Sequence, residues 1–298
     1  MSPTEVFPRY AGRWGAVMIC LLAVGARAPA CDIPVWQYAL NMWGQDPYRV
    51  FSVHEGTRPP GEAEALLAQA AETETANLTY ESVDIVHRAE ASVEGKQVAD
   101  RLEGEQLPTH VVVNPRGLIC HTGLLSPEAL QRLLQSPART RLCEYLAKEQ
   151  GGVLLVLSGD DEKDSRRVAR LAQEAAERST ADDRPVWWLE VRRDDPAEAP
   201  FVAQLLSVED DLADLAAPMV FVVFGRAHAM EPYVGRGITA DAMEEMIAFL
   251  NGPCTCQVKE AGGGMDLLTD YDWRAQFGDR PAFALPSDPV GYVTFDTD

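Results

Sequence analysis

Twice in this chain a proline leads into a run of strand-forming residues: Leu107-Pro108-Thr109 before His110 to Val113, and Ala217-Pro218-Met219 before Val220 to Phe224. Each run is followed by a turn, a returning strand that closes on glycine, and a helix opened by a hydroxyl residue, Ser126 in the first case and Thr239 in the second. A duplicated order of elements is a strong constraint, because each copy must bury its own apolar faces in the same way. Upstream of each proline the pattern also repeats. Tyr48 to Val53 and Val153 to Leu157 read as buried strands, Glu62 to Glu72 and Asp164 to Arg178 as helices, and Leu78 to Val86 and Val186 to Val191 as second strands. Short helices are expected at about Asp32 to Trp43 and Lys96 to Leu102, and a longer helical region over Ala197 to Ala216. The glycine pair Gly151-Gly152 separates the two copies.

The order β-α-β-α-β-β-α, with a proline leading into the third strand, resembles the thioredoxin fold over about 49–135 and again over 152–251. The resemblance implies an α/β chain of two tandem thioredoxin-like domains, each a central mixed sheet flanked by helices. It implies cis peptide bonds at Pro108 and Pro218, since cis bonds are essentially confined to proline. The segment 251–268, with its Cys254-Thr255-Cys256-Gln257 core, is similar to a stretch of exported bacterial proteins of this architecture and adds no activity. Thioredoxins place Cys-x-x-Cys where the first core strand meets the following helix. Here those places hold Thr57-Arg58-Pro59-Pro60 and Gly159-Asp160-Asp161-Glu162. Disulfide exchange requires an attacking thiolate, so ordinary thioredoxin chemistry has no nucleophile at either place.

The domain plan that follows is a leader at 1–30, a first domain with N-terminal and linker helices at 31–150, a second at 151–252, and a cysteine-bearing segment with an irregular tail at 253–298. The leader reading rests on Arg9 and Arg13, the 12-residue apolar run Trp14 to Gly25, and small residues ending at Ala30. Such a run is too short for a membrane span, which needs about 20 apolar residues. Export to the periplasm, the cell envelope or the medium is expected, with cleavage near Ala30. Cys31 then stands first, as a free N-terminal residue or as the acceptor of a lipid anchor. Of six cysteines, Cys20 leaves with the leader, so Cys31, Cys120, Cys143, Cys254 and Cys256 remain. An odd number leaves at least one thiol outside any intramolecular disulfide.

Composition narrows the function classes. The formal charge of -20 opposes binding to nucleic acid, whose phosphates repel it. No phosphate loop, dinucleotide fingerprint, Gly-x-Ser-x-Gly or His-Glu-x-x-His spacing occurs. Two constellations remain. Cys254 and Cys256 form a close thiol pair, suited to a labile disulfide, to a soft metal of the copper type, or to a structural link. His54, His110 and His121 are placed together by the expected hairpin, in which residue 110 faces 121, and three imidazoles suit zinc or copper. Ordinary strand-end histidines are the plainer account of the same residues. The first functional expectation is therefore an exported, non-catalytic binding or scaffold protein, without a cofactor, whose partner is another exported or envelope protein. The alternative is a thiol redox or metal-handling protein that uses Cys254 and Cys256.

Overall fold

The computed structural model describes residues 33–73, 75–102, 106–148, 151–254, 259 and 263–278. The leader, Cys31 and Cys256 lie outside the described residues. The first sheet contains β1 (Tyr48–His54), β2 (Leu78–Asp84), β3 (Thr109–Val113) and β4 (Ile119–Gly123) in the order β2-β1-β3-β4. β1 runs parallel to β2 and antiparallel to β3, and β3 antiparallel to β4. A central strand covered on both faces needs apolar residues at almost every position, which is why β1 and β3 read as continuous runs and not as alternations. One face is covered by α2 (Glu62–Thr73) and α4 (Pro127–Leu134), through Leu67, Leu130 and Leu133. The other is covered by α3 (Val93–Arg101), through Val98 and Ala99.

After α5 (Pro137–Leu146) the plan repeats with β5 (Val153–Leu157), α6 (Glu162–Ala181), β6 (Trp187–Val191), α7 (Ala199–Leu205) and β7 (Met219–Phe224). Again the first strand is parallel to the second and antiparallel to the third. The returning segment is split into β8 (His228–Ala229) and β9 (Tyr233–Val234), both paired with β7. α8 (Ala240–Asn251) closes the unit. The chain thus folds as two tandem thioredoxin-like domains, each a mixed sheet flanked by helices.

Local chemistry sets the boundaries. Ser92, Ser126, Ser136, Asp161 and Thr239 each accept a backbone N–H of the following first turn, satisfying a donor that the helix itself leaves open. α6 accordingly starts before Asp164, because the acidic run is its cap. Gly151 has φ +95°, and a Cβ there would run into the carbonyl oxygen of Pro185, so the junction between the copies admits only glycine.

The two units are not separate in packing. Leu67, Leu130 and Val112 of the first share one apolar cluster with Leu155, Phe201 and Phe221 of the second. α5 sits in this seam. Its cap Ser136 donates to Glu198 Oε2 at 2.5 Å, and Ala138 N donates to Glu198 Oε1 at 2.8 Å. Arg139, 1% exposed, donates to the carbonyl of Leu133 and lies 4.9 Å from the centre of the Phe201 ring. Burial lowers its guanidinium to about 10.

Two expectations are corrected. The N-terminal helix, α1 (Val35–Met42), does not join the first domain: it lies on the second, where Val35 N donates to Gly252 O and Cys254 N to Ile33 O. Its Ala39 is buried in the cluster of β5, β7, α6 and α8. An amphipathic helix fixes which face it buries but not against what. The irregular tail expected from about Phe277 onward lies almost wholly outside the described residues, and the segment before it is tied into both domains. β10 (Met265–Asp266) extends the second sheet beside β8, Thr269 N then donates to Asn77 Oδ1 at 2.8 Å and Tyr271 N to Thr75 O at 2.9 Å, and α9 (Trp273–Phe277) buries Trp273. Finally, Leu107–Pro108 is cis but Ala217–Pro218 is not. In the second domain the Ala216 carbonyl accepts Asp160 N–H at 2.9 Å, and Gly159 lies so close to the 216–218 backbone that a Cβ would not fit. This hydrogen-bonded path accommodates the trans form, which proline peptides favour in any case.

Replacing Glu198 by Ala leaves the Ser136 hydroxyl and the Ala138 amide without their acceptor in a buried seam. The expected cost is about 2–3 kcal/mol, read from urea unfolding. Because the core is shared, wild type and variant should each show one cooperative transition.

Candidate functional site

The C-terminal end of β1, the loop 55–61, the start of α2 and the cis Leu107–Pro108 bond meet at one pole of the first sheet. Asp84, at the end of β2, holds this loop by accepting Gly56 N at 2.8 Å and Val86 N at 3.0 Å. Its carboxyl is lowered to about 2, chiefly by the His87 hydrogen bond. Beneath the loop lies a polar cluster on an otherwise apolar face. Arg58 pairs with Glu64 Oε1, which also accepts Ser52 Oγ at 3.3 Å. His110 is 2% exposed, and its Nε2 stands 3.6 Å from the same Glu64 oxygen. On its other side His110 Nδ1 accepts the Leu125 amide at 3.0 Å. Nδ1 therefore carries the lone pair, and the neutral ring has its proton on Nε2, toward the carboxylate.

The electrostatics follow from these neighbours. Burial pushes the Glu64 carboxyl up, but the hydrogen bond and charge of Arg58 outweigh it and hold the group below its ordinary value. Burial pushes His110 down; Glu64 opposes this, while Arg58 and His121 add to it. The site thus presents a fixed carboxylate–guanidinium pair at the junction of β1 and α2. Thr57, Pro59 and Pro60 are at the surface around it, and Leu124 (66% exposed) stands at the end of β4. The matching pole of the second domain is a hollow of about 490 Å³ in which Asp160, Glu162 and Glu190 face Arg166, Arg192 and Arg193.

The three histidines do not converge as expected. Asn114 closes the hairpin by accepting Leu118 N on its own side chain at 2.9 Å, and the register shifts at Val112/Val113. His121 consequently faces Val112, and His110 faces Gly123. The bulge falls at Cys120, whose thiol donates to Val112 O at 3.5 Å. His54 is not opposite His110 either. Ser52 is, while His54 contacts Gly56 O and Ser82 Oγ, each at 2.9 Å. Among the described residues no group of three or more His, Cys, Asp or Glu side chains is disposed to hold a metal ion. Cys254 is 5% exposed beside α1, and its expected partner Cys256 lies outside the described residues. Burial pushes the thiols of Cys120 and Cys143 up to about 12, which suppresses their thiolates.

Two features carried signals that periodicity alone does not interpret. Glu64 stands three residues before Leu67 and so shares its core-facing side, an unusual place for a carboxylate unless a cation is supplied. Arg58, in the loop that lacks thiols, is that cation. A second buried pair, His228 Nδ1 with Asp266 Oδ1 at 2.9 Å, joins residues far apart in sequence. Lys259 bonds both Asp266 and Asp46, so this cluster ties the C-terminal segment to both domains.

No protein-family model and no curated protein matches the chain. Solved structures that resemble it include the first two thioredoxin domains of Saccharomyces cerevisiae Eps1p, at 13% identity over 68% of this chain and 91% of that one, with a TM-score of 0.24. The zinc-bound form of human ERp44 is 12% identical over 69% of this chain and 55% of that one, TM-score 0.23. The first two thioredoxin domains of Naumovozyma dairenensis Eps1p are 13% identical over 72% of this chain and 92% of that one, TM-score 0.24. Superpositions of this quality carry no argument about activity. The fold assignment rests on the strand order and pairing of the chain itself.

Arg58→Ala should raise the Glu64 carboxyl toward or above its ordinary value of 4.5, measurable by carbonyl NMR titration. In the wild type a depressed carboxyl contributes stability above that ordinary value and loses it as pH falls through the folded value. The variant should lose this contribution, at a cost of about 2–3 kcal/mol near neutrality.

Proposed function

We propose that the chain is an exported, non-catalytic thioredoxin-like protein that binds another exported or envelope protein at the pole of its first domain. The observation that carries this reading is the Arg58–Glu64 ion pair at the strand-to-helix junction. A buried carboxylate and its guanidinium fill the place from which a thiolate would attack, and they fix the loop 55–61 instead of arming it. Around that loop, exposed Pro59, Pro60 and Leu124 offer an apolar rim next to the cis Pro108. Rigid presentation of such a rim suits binding, because little ordering entropy is then lost on association. Export rests on the leader pattern in residues 1–30, and no helix among the described residues is long and apolar enough to cross a membrane.

The mature protein is expected to reduce an insulin-type disulfide substrate no faster than the buffer thiol alone. Leu124→Asp should weaken capture of the partner from envelope extract at least about tenfold, the scale of a 1.4 kcal/mol contact, with the urea midpoint unchanged. Turnover abolished by replacing Cys254 and Cys256 would overturn the binding reading in favour of thiol chemistry.

A further inference from the structure

His110 joins two parts of the pole that are otherwise held separately. It sits on β3, one residue beyond Thr109 and the cis Pro108, and its ring reaches across to the amide of Leu125. Leu125 precedes Ser126, the cap of α4, whose side chain accepts Ala129 N at 3.1 Å. The exposed Leu124 is the next residue on the other side. Between β4 and α4, whose connection also buries the Leu125 side chain, the Leu125 amide is thus held by one imidazole nitrogen acting as acceptor. That nitrogen is the ring's basic position, because Nε2 already carries the proton that faces Glu64.

We propose that His110 is a proton-operated latch: a proton taken up at Nδ1 displaces the Leu125 amide, and the backbone of the 124–125 connection at the pole is released. The chemistry allows no other outcome at that atom. An imidazolium Nδ1 is a donor, and two donors cannot share a hydrogen bond. The groups facing the ring set when this happens. Glu64 of α2 favours the cation, and Arg58 of the preceding loop opposes it. His121 of β4 also opposes it, while the residue of β1 opposite His110 is Ser52, a neutral side chain. Tyr80 of β2 stands beyond Ser52 and belongs to the same polar group. Burial adds to the resistance, so the neutral ring persists below its ordinary value of 6.5 and the latch opens only in mildly acidic medium. The sign is that of a depressed base. The neutral imidazole contributes stability above its ordinary value, and this is lost as pH falls through the folded value. The latch does not depend on the pole's binding a partner, and the test below reads the amide directly, so it fails or stands separately from the binding reading.

The experiment is hydrogen exchange on the full chain labelled with ¹⁵N in leucine amides and histidine rings. The Leu125 protection factor should be flat at high pH, fall by about tenfold per pH unit, the limit for one linked proton, below a break at the titration of the released ring, and be lost by the pH at which His110 of the folded chain titrates. The ring spectrum should show the proton on Nε2 at neutral pH. In His110→Asn, whose Oδ1 takes the place of Nδ1 and cannot titrate, protection should stay flat over the same range. Glu64→Gln, which removes the one anion facing the ring, should move the break to lower pH. This second variant decides the matter if His110→Asn does not fold. Protection unchanged while His110 titrates, an equal fall in His110→Asn, an unmoved break in Glu64→Gln, or a proton on Nδ1 at neutral pH would each overturn the latch.

Discussion

A layer of apolar side chains shared by two sheets holds this molecule together. α4 and α5 bring leucines from the first domain against the inner face of the second sheet, and α7 contributes Phe201 from the other side. The first sheet has both faces covered by its own helices, and one face of the second is closed by α6 and α8, so the second sheet's other face is buried at the seam against α5 and α7. Removal of apolar surface from water, at about 25 cal/mol per Å², then favours the two domains only as a pair. The polar groups in the seam follow from that arrangement. Glu198 is tolerated there because the open end of α5 supplies two donors, and Arg139 because backbone carbonyls and the face of Phe201 receive its charge.

The pole of the first domain shows the same balance put to a different use. A carboxylate on the buried side of a helix would ordinarily be protonated or excluded. Arg58 reverses the effect of burial, and Ser52 and His110 complete the surroundings of Glu64. The charge is satisfied locally, and the loop is anchored to the sheet in the process.

Much of this was legible in the sequence. The repeated strand and helix order and the hydroxyl caps at Ser126 and Thr239 rest on local rules, and local rules suffice when a residue's partner is a few positions away. The tandem fold followed from the same order. The hairpin register was not legible, because Asn114 uses its side chain to close the turn and Cys120 bulges, and an extra residue changes every later pairing without altering the apolar pattern. The position of α1 and the pairing of Thr269 with Asn77 were hidden for another reason. Both are contacts between distant segments whose sequences carry no mark of their partner. The candidate site was half visible: Arg58 stood in the loop that replaces the thiols, but its role depends on Glu64, which a helical pattern displays only as an anomaly.

The crossing of early and late segments has a consequence for how the protein is made. α1 is synthesised before either sheet, yet it rests on β7 and α8, and the segment around α9 pairs with residues 75–77 beside β2. Neither segment can be seated until both domains have been made. Contacts of such long sequence separation slow folding and leave apolar surface uncovered in the interim. For a chain exported as proposed above, that delay is an advantage: the sequence resists completing its structure on the wrong side.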